Sequence, residues 1–303
     1  MSAAPIRPIS PTVGHRSACV VIPVHNPGPL LERCLASVFA GEAVALTVVV
    51  VDDGSTDGFV ERAATRWPTL VVLHGDGDLW WSGSMNVGIQ WARNGMFDFV
   101  LSLNHDCVVD AAAVARMVDQ AGDRRVLVGA KLLQQERKQR LIGVGIDFSR
   151  RGFAFNGTGE EDHGQFDHRR RVDMIDGHAM LVPLRCLNEV GSFDETAFPQ
   201  YWGDIDLVLR ARAAGWDVEV CPGARVWNES GSTGLAVGRR ASIADVRRLL
   251  TDRRSHVNFR ETVRFGRRHH QFIPWRRLLR RYQPHMLALL RFYLHADSRQ
   301  RSP

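Results

Sequence analysis

Between residues 18 and 103 the chain repeats one pattern: a short unbroken apolar run, a polar cluster, then a segment with helical spacing. The runs cover residues 18–24, 45–51, 70–73 and 97–103 and are rich in valine, leucine and isoleucine. A strand with one wet face alternates apolar and polar side chains; these do not, so both faces must be covered. Between the runs, Leu31, Cys34, Leu35 and Val38 recur at helical spacing, and residues 60–67 and 83–93 read as further helices. The pattern predicts an α/β fold, a mostly parallel sheet with flanking helices. Ligands of such sheets bind beyond the carboxyl ends of the strands. The polar clusters of this chain stand there: His25-Asn26, Asp52-Asp53, residues 74–78 and Asn104-His105-Asp106.

The rest is less regular. Residues 1–16, rich in proline and small side chains, read as a flexible leader, residues 150–171 as a mobile loop, and residues 172–232 as a second ordered block. Residues 264–291 combine many arginines with Phe272, Ile273, Trp275, Leu278, Leu279, Leu287, Leu289 and Leu290, without one acidic residue. This predicts a short, helical, basic C-terminal tail, either lying on an anionic membrane surface or packed as a hairpin on the main domain. The net charge of +6 makes an anionic partner plausible, but no nucleic-acid motif accompanies it, so nucleic acid is not expected. Five scattered cysteines without a CxxC pair argue against a disulfide framework or zinc cluster and suit the cytoplasm. No apolar stretch is long enough to span a bilayer, so a soluble protein, or one peripheral to the inner face of the cell membrane, is expected.

Three clusters can carry chemistry. Asp52-Asp53-Gly54-Ser55 follows an apolar strand, where a carboxylate could accept the N3–H of a uracil or thymine; the same letters also describe a plain strand-to-helix turn. Asp106, after the strand at 97–103, could hold Mg²⁺ or Mn²⁺ against a diphosphate, or merely cap the helix that follows. Gly203-Asp204-Ile205-Asp206 opens a helix that ends at Gly215; an aspartate there could be a general base, or serve the helix dipole.

Read together, the Val20–Asn26 segment, DDGSTD at 52–57, NHD at 104–106, Gly191-Ser192-Phe193-Asp194-Glu195 and GDIDLVLRARAAG at 203–215 resemble family 2 of the glycosyltransferases, of the rhamnosyltransferase and cell-surface polysaccharide type. The resemblance covers about residues 17–232. It implies the GT-A fold and transfer of a sugar, with inversion, from a UDP- or dTDP-linked donor to a hydroxyl of a glycan or lipid-linked acceptor, assisted by Mg²⁺ or Mn²⁺. On that resemblance Pro23, His25, Asn26, Asp53, Asp76 and Asp78 would bind the nucleotide, and Trp81, Ser82, Asn86 and Asn104 the donor sugar. Gly177, His178, Trp202 and Asp206 would meet the acceptor, Asp106 with Asn104 and Asn228 would hold the metal, and Asp204 would be the base. For the aromatic pair Trp80-Trp81, a sugar platform and a buried anchor remain equal alternatives.

Three departures stand out: Asn104 replaces the first aspartate of a DxD, Gly203 replaces the glutamate before the base, and Asn228 replaces a histidine. Fewer charged ligands mean a weaker metal site. The expected division is a leader at 1–16, a GT-A domain at 17–235 with nucleotide-binding (17–110) and acceptor-binding (111–235) halves, and a basic extension at 236–303. A nucleotidyltransferase, the nearest rival, would show a glycine-rich phosphate loop after the first strand, and His25-Asn26-Pro27-Gly28 is not one.

Overall fold

The computed structural model describes residues 16–41, 45–149, 152–229, 243–270 and 280–283. Along the chain run β1 (Ser17–Val24), α1 (Leu30–Phe39), β2 (Ala45–Asp52), α2 (Phe59–Arg66), β3 (Val71–His74), α3 (Trp80–Asn94) and β4 (Phe99–Leu103). Then come β5 (Cys107–Val109), α4 (Ala113–Ala121), β6 (Val126–Gln134), β7 (Leu141–Gly143), β8 (Ile146–Ser149), β9 (Gly152–Phe155) and β10 (Arg170–Arg171). The last elements are β11 (Ala179–Pro183), α5 (Leu184–Val190), α6 (Gly203–Ala213), β12 (Asp217–Asn228), α7 (Ile243–Thr251) and α8 (Phe259–Arg268).

The main sheet has the order β10-β12-β6-β11-β4-β1-β2-β3. It is parallel across β3-β2-β1-β4 and again between β6 and β12; β11 runs against both of its neighbours. The expected mostly parallel α/β sheet is thus present. β1 shows why its sequence is an unbroken apolar run. Ala18, Val20 and Ile22 join a core beneath α1, α2 and α4, while Cys19 and Val21 join a second core beneath α3 and α6. Both faces are buried, so both sets of alternating positions must be apolar. On the second face α3 lies so close to β1 that a Cβ at Gly88 would collide with Val21.

The segment expected to be a mobile loop is built otherwise. β8 and β9 form a hairpin, β10 joins the edge of the main sheet, and Lys131 is buried on β6 against Asp162 (3.0 Å) and Asp167 (2.5 Å). Strand pairing and this ion triad replace the apolar periodicity that the segment lacks. Of the expected tail, α7 and α8 are described. Phe265 of α8 joins the core beneath α6, its ring 4.2 Å from that of Trp202. The residues that carry the membrane expectation, among them Phe272, Trp275, Leu278 and Leu290, lie outside the described residues, as does the leader up to residue 15. Among the described residues no helix is long and apolar enough to cross a membrane.

Candidate active site

At the carboxyl ends of β1, β2 and β4, where the strand order turns back from β1 to β4, lies a cleft of about 650 Å³. Its lining includes Pro23, His25, Asp53, Trp80, Trp81, Asn104, Asp106, Gly177, His178 and Asp204. Ten positions drawn from six separate stretches of chain meet there because parallel strands deliver their ends to one edge.

The DDGSTD cluster proves to be both a turn and part of the cleft. Asp52 Oδ1 accepts the Ser55 amide and closes the turn. Asp53 is buried, and its two oxygens accept the backbone N–H groups of Gly77 (2.8 Å) and Trp80 (3.0 Å). It thereby fastens the β3–α3 loop beside the cleft. His25 Nδ1 lies 2.7 Å from the Asp53 carbonyl oxygen. Asn26, at φ +50°, accepts the Thr56 amide and ties the β1 loop to the DDGSTD loop rather than lining the cleft. Asp76 is exposed and caps the Asp78 amide; Asp78 accepts the Trp80 indole N–H at 2.7 Å and pairs with Arg253. Neither aspartate lines the cleft.

Trp81 is both anchored and exposed to the cleft. Its indole N–H donates to Asn104 Oδ1 at 3.0 Å, and its ring packs edge-on against Phe193. One lone pair of the Asn104 carbonyl is therefore spent on Trp81. Asn228 lies opposite Cys107 in the β12–β5 ladder, donates to its sulfur at 3.5 Å and does not line the cleft. Among the described residues no three His, Cys, Asp or Glu side chains gather as a metal cage. Of the expected metal ligands, Asp106 is the one that brings a carboxylate to the cleft. That donor set fits a hard cation whose other oxygen ligands come from a diphosphate.

Asp204 stands in the first turn of α6, half-buried. Its carboxylate accepts the Gly177 amide and the Ile205 amide, each at 2.8 Å. Burial and the nearby Asp176 carboxylate raise its pKa, while those two amides and His178 oppose the rise. Trp202, two residues earlier, sits at φ +69°, outside the comfortable range of a bulky side chain; the chain turns sharply there to begin α6. Gly203 holds the place where a glutamate was expected, and a Cβ there would lie 2.5 Å from Ser82 Oγ. Across the cleft, His178 Nδ1 is 2.8 Å from Asp176. Burial disfavours its charge, but Asp176, with Asp106 and Asp204 nearby, lifts its pKa to about 9. At neutral pH His178 therefore carries its proton, held beside Asp176 at the wall of the cleft.

Besides Asn26, Asp76, Asp78 and Asn228, four more expected site residues lie elsewhere. Ser82 is buried and donates its hydroxyl to the Phe198 carbonyl. Asn86 clamps the segment after α5, exchanging hydrogen bonds with the Phe193 backbone and reaching Glu195. Trp202 belongs to the core. Asp206 is fully buried, held by Arg210 (2.8 Å), Arg268 (3.0 Å) and His269 (2.8 Å); burial opposes its charge, but these partners keep its pKa below the usual value. Neighbours on a helix start point in different directions, and only Asp204 points into the cleft. Trp80, of the pair offered as a sugar platform or a buried anchor, does line the cleft, as does Tyr201, while His105, Gln200 and Arg254 line it without having been assigned a role. The pair Tyr201-Trp202 offered a signal, but the residue facing inward is the tyrosine. Nothing in the pattern around Arg254 marks it.

Residues 19–179, just over half of the chain, match the family model of glycosyl transferase family 2. Over 235 residues, 68% of this chain and 74% of the relative, it is 27% identical to the N-acetylglucosaminyl-diphospho-decaprenol L-rhamnosyltransferase of Mycobacterium tuberculosis. Two solved structures share the fold. One is GalNAc-T7 with UDP, GalNAc and Mn²⁺, with a TM-score of 0.58 at 14% identity over 81% of this chain. The other is the mannosyltransferase PcManGT from Pyrobaculum calidifontis with GDP-Man and Mn²⁺, at 0.55 and 18% identity over 84%. The chain spans 50% of the first structure's length and 65% of the second's.

Proposed function

The chain belongs to glycosyl transferase family 2 and is a glycosyltransferase of GT-A fold; from that premise we propose that it moves a sugar, with inversion, from a UDP- or dTDP-linked donor to a hydroxyl of a glycan or lipid-linked saccharide. The observation that carries this reading is the meeting of Asp106 and Asp204 in one cleft whose near end is built by Pro23, His25 and Asp53. The nucleotide lies along that near end, with the base beside Asp53 and the diphosphate toward Asp106 and Asn104. Asp106 would hold a divalent cation there, which when bound would neutralise charge on the diphosphate. The relative's printed name, which includes a diphospho-decaprenol sugar, favours a lipid-linked acceptor.

Asp204 takes the hydroxyl proton. As the acceptor oxygen forms its bond to the anomeric carbon, the bond from that carbon to the phosphate oxygen breaks on the opposite face. Its electron pair leaves with the nucleoside diphosphate, and the proton ends on Asp204. A raised carboxyl pKa makes a better proton acceptor, and the Gly177 and Ile205 amides fix its direction. The imidazolium of His178 offsets negative charge in the same cleft.

Asp204→Asn preserves shape and removes basicity. Its affinity for UDP or dTDP with Mn²⁺, measured by calorimetry, should stay within about twofold of wild type, while turnover falls roughly 10²- to 10⁴-fold. A variant that keeps most of its turnover at saturating substrates would move the base elsewhere. Product from a donor of known anomeric configuration, examined by NMR, should carry the opposite configuration. Asp106→Ala should abolish the Mn²⁺-dependent part of nucleotide affinity; if metal still strengthens binding in that variant, the ligand is another residue.

A further inference from the structure

Next to the cleft, on the other side of Trp80, lies a second pocket of about 400 Å³. Its walls come from the start of α3, the segment before α6 and the α7–α8 pair. Trp80 lines both cavities, and the chain contributes to each from adjacent positions: Pro199 to one and Gln200 to the other, Arg253 to one and Arg254 to the other. The two spaces are therefore neighbours along one groove. Trp80 itself sits at φ +58°, an unfavourable setting for a bulky residue, fixed by Asp53 on its amide and Asp78 on its indole.

The wall contains a group that the fold leaves unsatisfied. Glu261 is 4% exposed, and its Oε2 has no hydrogen-bond partner. Burial lifts its carboxyl to about 7, although Arg253 and Arg264 pull it back. A buried polar atom without a partner is rare and costly, so this oxygen marks a place where a ligand completes the hydrogen bonding. Around it stand Arg253, Arg260 and Arg264 against Asp78, Glu195 and Glu261, equal numbers of each sign. Such a balance does not select an anion. A carboxyl that needs hydroxyl donors, guanidinium groups that donate to oxygens, and apolar surface from Trp80 and Pro199 together suit a neutral, polyhydroxylated ring. The volume lies within the range for one small ligand, about 300–1,000 Å³.

We propose that this pocket is an acceptor subsite: it holds the neutral sugar unit next to the one whose hydroxyl is glycosylated, with Glu261 accepting its hydroxyl hydrogens. This rests on the transferase reading above and extends it from the reacting hydroxyl to the neighbouring sugar.

The test uses the full chain, with calorimetry of UDP and of dTDP, each with Mn²⁺, for the donor cleft. Saturation-transfer NMR with neutral disaccharides of glucose, galactose, rhamnose and N-acetylglucosamine reports on the second pocket. Wild type should bind at least one disaccharide, Glu261→Ala and Arg260→Ala should weaken that binding about tenfold, and nucleotide affinity should stay unchanged in both. Glu261→Gln, with the same shape, should fall between. Arg260 is exposed, so its variant keeps the test open if Glu261→Ala does not fold. Disaccharide binding indifferent to both positions, no disaccharide bound by wild type, or displacement by inorganic pyrophosphate would each overturn the proposal. Failure of wild type to bind either UDP or dTDP would instead remove the nucleotide-sugar reading, which separates the two failures.

Discussion

Single side chains in this cleft serve more than one neighbour, and that sets what their replacement should do. Asp53→Ala removes the acceptor of two backbone amides, those of Gly77 and Trp80. It should cost roughly 1–3 kcal/mol in denaturant unfolding and weaken UDP binding by loosening the β3–α3 loop; Asp53→Asn, which keeps one acceptor oxygen, should lose less of both. Glu261 carries a pH signature. Its folded pKa, about 7, lies above the ordinary glutamate value of 4.5, so its stabilising contribution is full below the unfolded value and fades as pH rises through the folded one. Wild type should lose thermal stability between about pH 5 and 8 more steeply than Glu261→Gln, by roughly 1–3 kcal/mol; parallel pH profiles of the two proteins would contradict that. At this scale the sequence was legible where a residue type has one chemical use. Asp53, Asp106 and Asp204 stood out in the sequence because carboxylates at strand ends and helix starts are conspicuous, and all three line the cleft. Which of Tyr201 and Trp202 faces the cleft was not legible, because it depends on a left-handed backbone setting at Trp202 that no alternation encodes.

Elements held by apolar periodicity were readable, and those held by paired charges were not. The four apolar runs are β1 to β4, close to their expected bounds, because burial on both faces demands continuous apolar side chains. Residues 150–171 offered no such signal. The order of the described part, 152–171, depends on Lys131, one of only two lysines, which leaves the apolar β6 to meet Asp162 and Asp167. Lys131→Met should strand the buried Asp162 and cost roughly 3–5 kcal/mol, with the neighbouring segment becoming the first site of limited proteolysis. A variant that resists protease as wild type does would show that strand pairing alone orders the segment.

Across the whole molecule α6, the helix that carries Asp204, is braced from behind. Asp206, one turn-face away from Asp204, is held by Arg268 and His269 of α8 and its flank, and Phe265 stacks on Trp202. Phe265→Ala should cost roughly 3–5 kcal/mol, measured by thermal or denaturant unfolding. It should lower turnover more than nucleotide affinity, since the nucleotide end of the cleft lies on β1 and β2. A composition shift had marked the stretch after residue 235 as an appendage, because arginine-rich helices look alike whether they pack or not. Packing draws the border differently. A shortened gene ending at codon 235 would encode a sheet with its strands intact, yet with an indole and a carboxylate uncovered where α8 had sat. Such a product should collect in inclusion bodies or melt without a cooperative transition. We therefore expect that a well-folded unit extends at least to His269, which still reaches Asp206.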